Sequence, residues 1–247
     1  MYNRSSWGPE GDSVMSLTRS LSAFRLLSLI LPCTMFAQAS PSWFDVRRDD
    51  FCVTEGAIEK APADRLQVSA SKMRAYVTRA TAASAEMHFT YLGPASKESA
   101  LGSGEMRRQF GLKLRAHDPC NLVYAMWRID PEAELVVSLK RNPGQHTSAE
   151  CTNHGYQNIK PRKASAVPHL QPGESHTLRA EMNGDELRVF VDDHEVWEGN
   201  VGADAAKLEG PVGLRSDNVR LEFDYQARGP EHGRGESQMP CRAGDSD

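Results

Sequence analysis

Strict two-residue alternation, repeated in run after run, is the feature that most constrains this chain. Phe110, Leu112, Leu114 and Ala116 alternate with Gln109, Gly111, Lys113 and Arg115. Val123, Ala125, Trp127 and Ile129 alternate with Leu122, Tyr124, Met126 and Arg128, and Leu135, Val137 and Leu139 with Val136, Ser138 and Lys140. Successive side chains of a strand point to opposite faces, so the pattern predicts half-buried strands rather than helices, whose apolar positions recur at three and four. Asp118-Pro119, Asp130-Pro131 and Asn142-Pro143-Gly144 punctuate the runs as turns.

A second patterned block runs from His176 to Tyr225. Leu178, Ala180 and Met182, then Leu187, Val189 and Val191, alternate with polar residues on either side of Asn183-Gly184-Asp185. Asn-Gly between two such runs predicts a hairpin with a type I′ turn, which needs positive φ at both central residues. A further turn at Asp193-His194 leads into Glu195–Glu198, and Gly213-Leu214-Arg215 and Asn218–Tyr225 follow, so the block reads as one β-meander. Earlier, Met73–Thr81 and Ala83–Tyr91 alternate in the same way and read as neighbours paired across Thr81-Ala82. The expected fold is all-β: one two-sheet antiparallel β-sandwich over residues 40–226.

The His176–Tyr225 block resembles the closing part of a concanavalin A-like, laminin-G-like jelly roll. In that family H-x-L-x-(A/V)-x-x-x-G-x-x-x-x-V-x-V-D is followed by G-x-V-G-L-R, matched here by His176 to Asp192 and by Gly210 to Arg215. The resemblance extends over Trp43–Tyr225 and is similar to the small sandwich domains attached to secreted bacterial sugar-processing enzymes. It implies a jelly-roll fold and a usual binding face. No cofactor follows from it, and calcium, compatible with such sandwiches, is not indicated by any motif here.

Catalytic motifs are weak. The glucanase branch of this fold carries E-x-D-x-x-E or E-x-D-x-E, since retaining hydrolysis needs two carboxylates about 5 Å apart. Asp130, Glu132, Glu134, Asp192, Asp193 and Glu195 instead fall at expected turns. G-x-S-x-G is absent, and His146, His154 and His169 match no zinc spacing, so no metal site is expected. Trp127 shares the phase of Val123 and Ala125 and is expected in the core rather than as a sugar platform.

The opposite phases collect Lys113, Arg115, Tyr124, Arg128 and Lys140, beside Gln109, Met126 and Ser138, on one exposed face. Such cations suit the carboxylates or sulfates of an acidic glycan. An ordinary solvated sheet face accounts for the same residues. The first expectation is an exported, non-catalytic glycan-binding or adhesion module, its partner a polysaccharide that acidic groups would distinguish. A second is a polysaccharide lyase using Gln109, His88, Arg115 and Tyr124 to neutralise a uronate and move a proton. Its relatives' R-(S/T)-E-(L/V)-R strand is echoed only by Gly104-Glu105-Met106-Arg107-Arg108. A third is a structural envelope protein.

Two long irregular stretches stand out. Residues 93–104 form a polar loop, read as a surface insertion though loops of that length are often functional. Residues 142–173 contain four prolines and resist any regular element. Cys151 lies in the second, and Cys120 at the start of a strand whose partner ends near Asn142, so a Cys120–Cys151 disulfide is expected to pin it. Cys52 with Cys241 is then the remaining pair.

The ends read differently. Arg19 and Arg25 precede the apolar run Leu26–Leu31, and Ala37-Gln38-Ala39 is a small-residue cleavage site, together the pattern of a secretory signal peptide over residues 1–39 with its true start at Met15. The run is too short for a membrane span. Residues 227–247, with little to bury, read as a disordered tail. Without residues 1–39 the chain has 26 Lys and Arg against 31 Asp and Glu, a balance that argues against nucleic acid as partner. Location outside the cytoplasm, secreted or periplasmic, follows from the leader. Intact-mass analysis of the exported protein is expected to give a chain beginning at Ser40; a mass that includes residues 15–39 would overturn the reading.

Overall fold

The computed structural model describes residues 42–79, 83–229 and 241. The expected leader, residues 1–39, and most of the expected tail lie outside the described residues. In chain order the strands are β1 (Trp43–Asp45), β2 (Phe51–Glu55), β3 (Glu59–Lys60), β4 (Leu66–Val68), β5 (Lys72–Val77), β6 (Ser84–Pro94), β7 (Arg108–Asp118) and β8 (Asn121–Asp130). Then come β9 (Glu134–Lys140), β10 (Tyr156–Asn158), β11 (Lys163–Ala164), β12 (Ser175–Asn183), β13 (Glu186–Val191), β14 (His194–Asn200), β15 (Gly213–Asp217) and β16 (Val219–Arg228). Two single-turn helices, α1 (Ser148–Cys151) and α2 (Ala203–Ala206), interrupt the loops.

These strands make two antiparallel sheets. A nine-stranded sheet runs β11-β14-β13-β12-β6-β16-β4-β3, with β1 added alongside β16, and a seven-stranded sheet runs β10-β9-β8-β7-β15-β5-β2. The chain is a two-sheet antiparallel β-sandwich. Its core lies where the alternation puts it. Phe110, Leu112, Leu114, Val123, Ala125 and Trp127 of the seven-stranded sheet are fully buried, as are Met87, Phe89, Leu178, Val189, Leu221 and Phe223 of the other. Phe89 packs edge-on against Phe110 at 4.6 Å and Trp127 at 5.6 Å between ring centroids, joining the two layers. Each such side chain contributes roughly 1.5–3 kcal/mol on burial. Trp127 is therefore a core residue and not a sugar platform, and Trp197, 2% exposed, is core as well.

Three expectations about pairing are corrected. Met73–Val77 and Ser84–Pro94 do not pair: β5 belongs to the seven-stranded sheet and β6 to the nine-stranded one. The closing meander likewise divides. β12, β13 and β14 are a meander, but β15 joins the opposite sheet and Asn218, at φ 60°, makes a one-residue corner back to β16. Alternation reports which face of a strand is buried; it carries no information about which sheet does the burying. The turns are also displaced by one residue. Asn183 pairs with Glu186, so the loop is Gly184-Asp185 with positive φ at Gly184 alone, 61°. The I′-like pair of positive φ values is at Asp192 (48°) and Asp193 (62°), where Val191 pairs with His194.

The C-terminal boundary moves outward. β16 continues to Arg228, where β1 pairs with it, Trp43 opposite Arg228 and Phe44 opposite Ala227. Cys241 is tied to Cys52 of β2, and Cys120 to Cys151, with Cα separations of 5.5 and 5.7 Å.

Trp127 is the largest side chain to test for core status. Trp127→Ala is expected to lower the urea-unfolding free energy by about 3–5 kcal/mol, through lost burial and the cavity left between the sheets. A loss under about 1 kcal/mol would place the ring outside the core.

Candidate functional site

The outer face of the seven-stranded sheet is where the cationic site is expected, and the phases are right through most of it. Exposure is not. Gln109, Lys113, Tyr124, Met126, Ser138 and Lys140 all lie on that side, yet all are buried, Lys140 completely. Its Nζ donates to the Pro119 carbonyl at 2.9 Å and sits 5.1 Å from the centre of the Tyr156 ring. Over Lys140 and Tyr124 the cover is the 142–173 segment. β10 pairs with β9, setting Tyr156 opposite Lys140, and Tyr156 stacks on Tyr124 at 5.9 Å and 27°. Arg115 leaves the pattern for a different reason. It has φ 48° at a register break between Leu114 and Asp118, so Ala116 turns outward to join Leu122, Tyr124 and Met126, and the guanidinium is bonded to the carbonyls of Ala205 and Ala206. Burial lowers its pKa from the usual arginine value. Arg128 stays part-exposed, paired to Glu134.

The lyase group does not assemble. Gln109, Arg115 and Tyr124 belong to the seven-stranded sheet. His88 is on β6 of the other sheet, exposed on its outer side beside Thr177, with Nδ1 3.1 Å from the hydroxyl. The two faces are separated by the core.

In place of an open cationic face the structure has a cleft of about 370 Å³. Its floor is the sheet, through Gln109, Tyr124, Met126, Arg128, Val136, Ser138 and Arg215. Two walls rise from it. Leu101, Gly102, Ser103, Glu105 and Arg107 come from the loop before β7, and Asn153, Tyr156 and Asn158 from the segment after β9. The walls meet at Gly102: a Cβ there would lie 1.8 Å from the Asn153 amide. Glycine permits this approach because it has no side chain to collide.

Each wall is fastened by buried polar groups. Asn218, 1% exposed, donates Nδ2 to the carbonyls of Ser99 (2.8 Å) and Arg107 (3.0 Å) and accepts the Ser99 N–H at 2.8 Å. The other wall is held by the Cys120–Cys151 disulfide and by Asn142, whose Nδ2 donates to the carbonyls of Cys120 (3.1 Å) and His154 (3.0 Å).

Built into the floor is a buried charged network. Asp217, with no exposed side-chain surface, accepts from Arg74 Nη2 at 2.6 Å, Gln109 Nε2 at 2.7 Å and Arg215 Nε at 3.0 Å. Burial alone would raise its pKa; Arg215 and Arg74 outweigh that and hold it down to about 2. Arg215 then reaches up. Its guanidinium lies 5.3 Å from the Tyr124 ring centre and donates Nη1 to the Tyr156 hydroxyl at 3.2 Å. Asp217 thus orients an arginine that orients the tyrosine of the wall.

Of the residues singled out from sequence, Tyr124, Arg128, Gln109, Met126 and Ser138 border the cleft. Lys113, Arg115, Lys140 and His88 do not. Reasoning from strand phase passed over Tyr156, Arg215, Arg107, Asn153 and Asn158. The available signal was the unusual length of the two irregular segments, which become the walls.

No protein family profile and no curated protein matches this sequence. Solved structures similar to it include the carbohydrate binding module CBM66 from Bacillus subtilis, 14% identical, with a TM-score of 0.49 over 70% of this chain and 91% of that one. Others are the Emp46p carbohydrate recognition domain, 10% identical, TM-score 0.45, 74% and 89% covered, and a tetrameric galectin from the ball sponge Cinachyrella sp., 11% identical, TM-score 0.39, 64% and 99% covered.

The Asp217 network generates a pH prediction. A carboxyl held at about 2 when folded, against 3.8 for an ordinary aspartate, stabilises the fold above the ordinary value and ceases to do so as pH falls through about 2. The contribution lost is about 2 kcal/mol. Asp217→Asn should remove that part of the acid dependence of urea unfolding. At pH 7 it should cost about 3–5 kcal/mol, because the buried guanidinium of Arg74 and the part-buried one of Arg215 lose their counter-charge.

Proposed function

We propose that this protein is a non-catalytic glycan-binding module of the exported type, and that its site is the cleft over the seven-stranded sheet. The observation that carries the reading is Tyr156. Among the described residues it and Met106 are the large apolar side chains left exposed, at 39% and 54%, and both belong to the segments that wall the cleft. An aromatic ring beside a polar pocket suits a sugar, whose ring has an apolar face for stacking and a rim of hydroxyls for hydrogen bonds. Asn153, Asn158, Gln109 and Ser138 supply donors and acceptors for such a rim.

The cleft favours acidic over neutral sugars. Arg107, Arg128 and Arg215 border it against one carboxylate, Glu105. Arg107 and Arg128 are paired with Glu105 and Glu134, whose side chains are 57% and 46% exposed at the rim. A uronate or sulfate can replace these solvated partners and form the charge-assisted, forked bonds that guanidinium groups favour. Two disulfides fit an oxidising compartment, hence secretion or the periplasm. No helix among the described residues is long and apolar enough to cross a membrane.

The test is retention on neutral, uronate-bearing and sulfated polysaccharides, with ultraviolet absorbance recorded for unsaturated products. Retention of the acidic members that falls with salt, with no growth in absorbance, is expected. Tyr156→Ala should weaken it about tenfold, corresponding to about 1.4 kcal/mol, with little change in thermal stability. Arg128→Gln should weaken uronate retention and leave any neutral retention unchanged. Binding indifferent to Tyr156, or confined to neutral glycans, would move the site or its specificity; rising absorbance would restore the lyase.

A further inference from the structure

A second cluster lies at the turn joining β7 to β8. His117 and Asp118 end β7, and His146 arrives from the segment after β9. One ligand atom from each of the three side chains lies within 4.8 Å of the others. Sequence spacing does not reveal the group, because 28 residues separate His146 from Asp118. Tertiary structure brings them together: the Cys120–Cys151 disulfide fastens the segment, and Asn121 Nδ2 donates to both Asp118 (2.8 Å to Oδ1) and the Gln145 carbonyl (2.9 Å).

The hydrogen bonds decide what the histidines present. His117 Nδ1 is 3.0 Å from the Glu209 carbonyl oxygen, and His146 Nδ1 is 2.8 Å from Asp118 Oδ2. Neither a carbonyl nor a carboxylate can donate, so each Nδ1 carries the proton and the lone pair of the neutral ring is on Nε2. Ring orientation is fixed by the same bonds, the two centroids being 6.3 Å apart. A histidine whose Nδ1–H is held by a carboxylate or a backbone carbonyl is the usual form of a metal-ligating imidazole. Asp118 is itself anchored by the Cys120 N–H at 2.8 Å, so His146 is braced from a buried residue. Both histidines are exposed and open to an ion from solvent.

We propose that His117 and His146 bind a divalent transition metal of the imidazole-preferring kind, Zn²⁺ or Cu²⁺, through Nε2. Asp118 is the positioning carboxylate, and water completes the shell. Two imidazole nitrogens on one tetrahedral ion stand roughly 3.3 Å apart for metal–nitrogen bonds of about 2.0–2.1 Å, which sets the approach that the two exposed rings make on binding. The bound ion ties together three segments: the β7–β8 turn, the segment carrying His146, and, through His117 and Glu209, the loop before β15. None of its ligands borders the glycan cleft, so the proposal does not depend on the glycan reading.

The experiment is calorimetric titration of the oxidised full chain with Zn²⁺, and separately Cu²⁺, in a non-chelating buffer, together with the thermal midpoint. One ion per chain with micromolar or tighter affinity is expected, and the midpoint should rise by several degrees at saturation. His117→Ala and His146→Ala should each weaken binding at least tenfold and abolish the midpoint shift. Their metal-free midpoints and polysaccharide retention should match the parent, which separates loss of the site from loss of the fold. Stoichiometric binding that survives both substitutions, or no binding of either ion below millimolar concentration, would overturn the proposal.

Discussion

Much of this molecule's outward architecture rests on one buried carboxylate. Asp217 ends β15 with no exposed side-chain surface, and its two oxygens satisfy donors from β5, β7 and its own strand through Arg74, Gln109 and Arg215. An ionised group in such a place is tolerated only when its partners replace the water it has lost. That requirement makes the network directional. Arg215, steadied by Asp217, contacts Tyr124 and Tyr156, so the position of an exposed ring in the cleft is traced back to a charge buried in its floor.

The next residue performs the complementary task. Asn218 turns the chain from one sheet to the other in a left-handed conformation that asparagine adopts more readily than most residues. Its amide meanwhile closes three hydrogen bonds to the loop that walls the cleft. Two adjacent residues thus couple the crossing between sheets to the floor and one wall of the site. The other wall depends on covalent closure at Cys120–Cys151 and on Asn121 and Asn142, whose side chains satisfy backbone groups that no strand ladder reaches. Irregular segments with buried backbone need such partners. Here those partners also bring Tyr156 to the cleft and His146 to Asp118.

Legibility from sequence follows how local each cause is. Trp127, Phe110 and Leu178 are legible as core because pleat geometry assigns faces by parity alone. The hairpin at Gly184 is legible to within one residue because its φ requirement is local. Arg115 is not: a bulge inverts parity after Leu114, and nothing in Leu114-Arg115-Ala116-His117 announces it. Lys113 and Lys140 are legible in phase and illegible in exposure. Long basic side chains on an outer sheet face are ordinarily solvated, and here both are buried, Lys140 against Tyr156 of the segment after β9.

By itself the sequence determined an all-β sandwich, the inner face of most strands, and the two irregular stretches that needed pinning. These are consequences of short-range periodicity and of turn chemistry, which act within a few residues. Tertiary structure alone decided which sheet each strand joined, that the cationic face was roofed into a cleft, and that His88 stood apart from Gln109 and Tyr124. It also decided that His117, Asp118 and His146 met. Those outcomes depend on contacts between residues far apart in the chain, whose closure follows from the packing of the whole domain and leaves no local pattern to read.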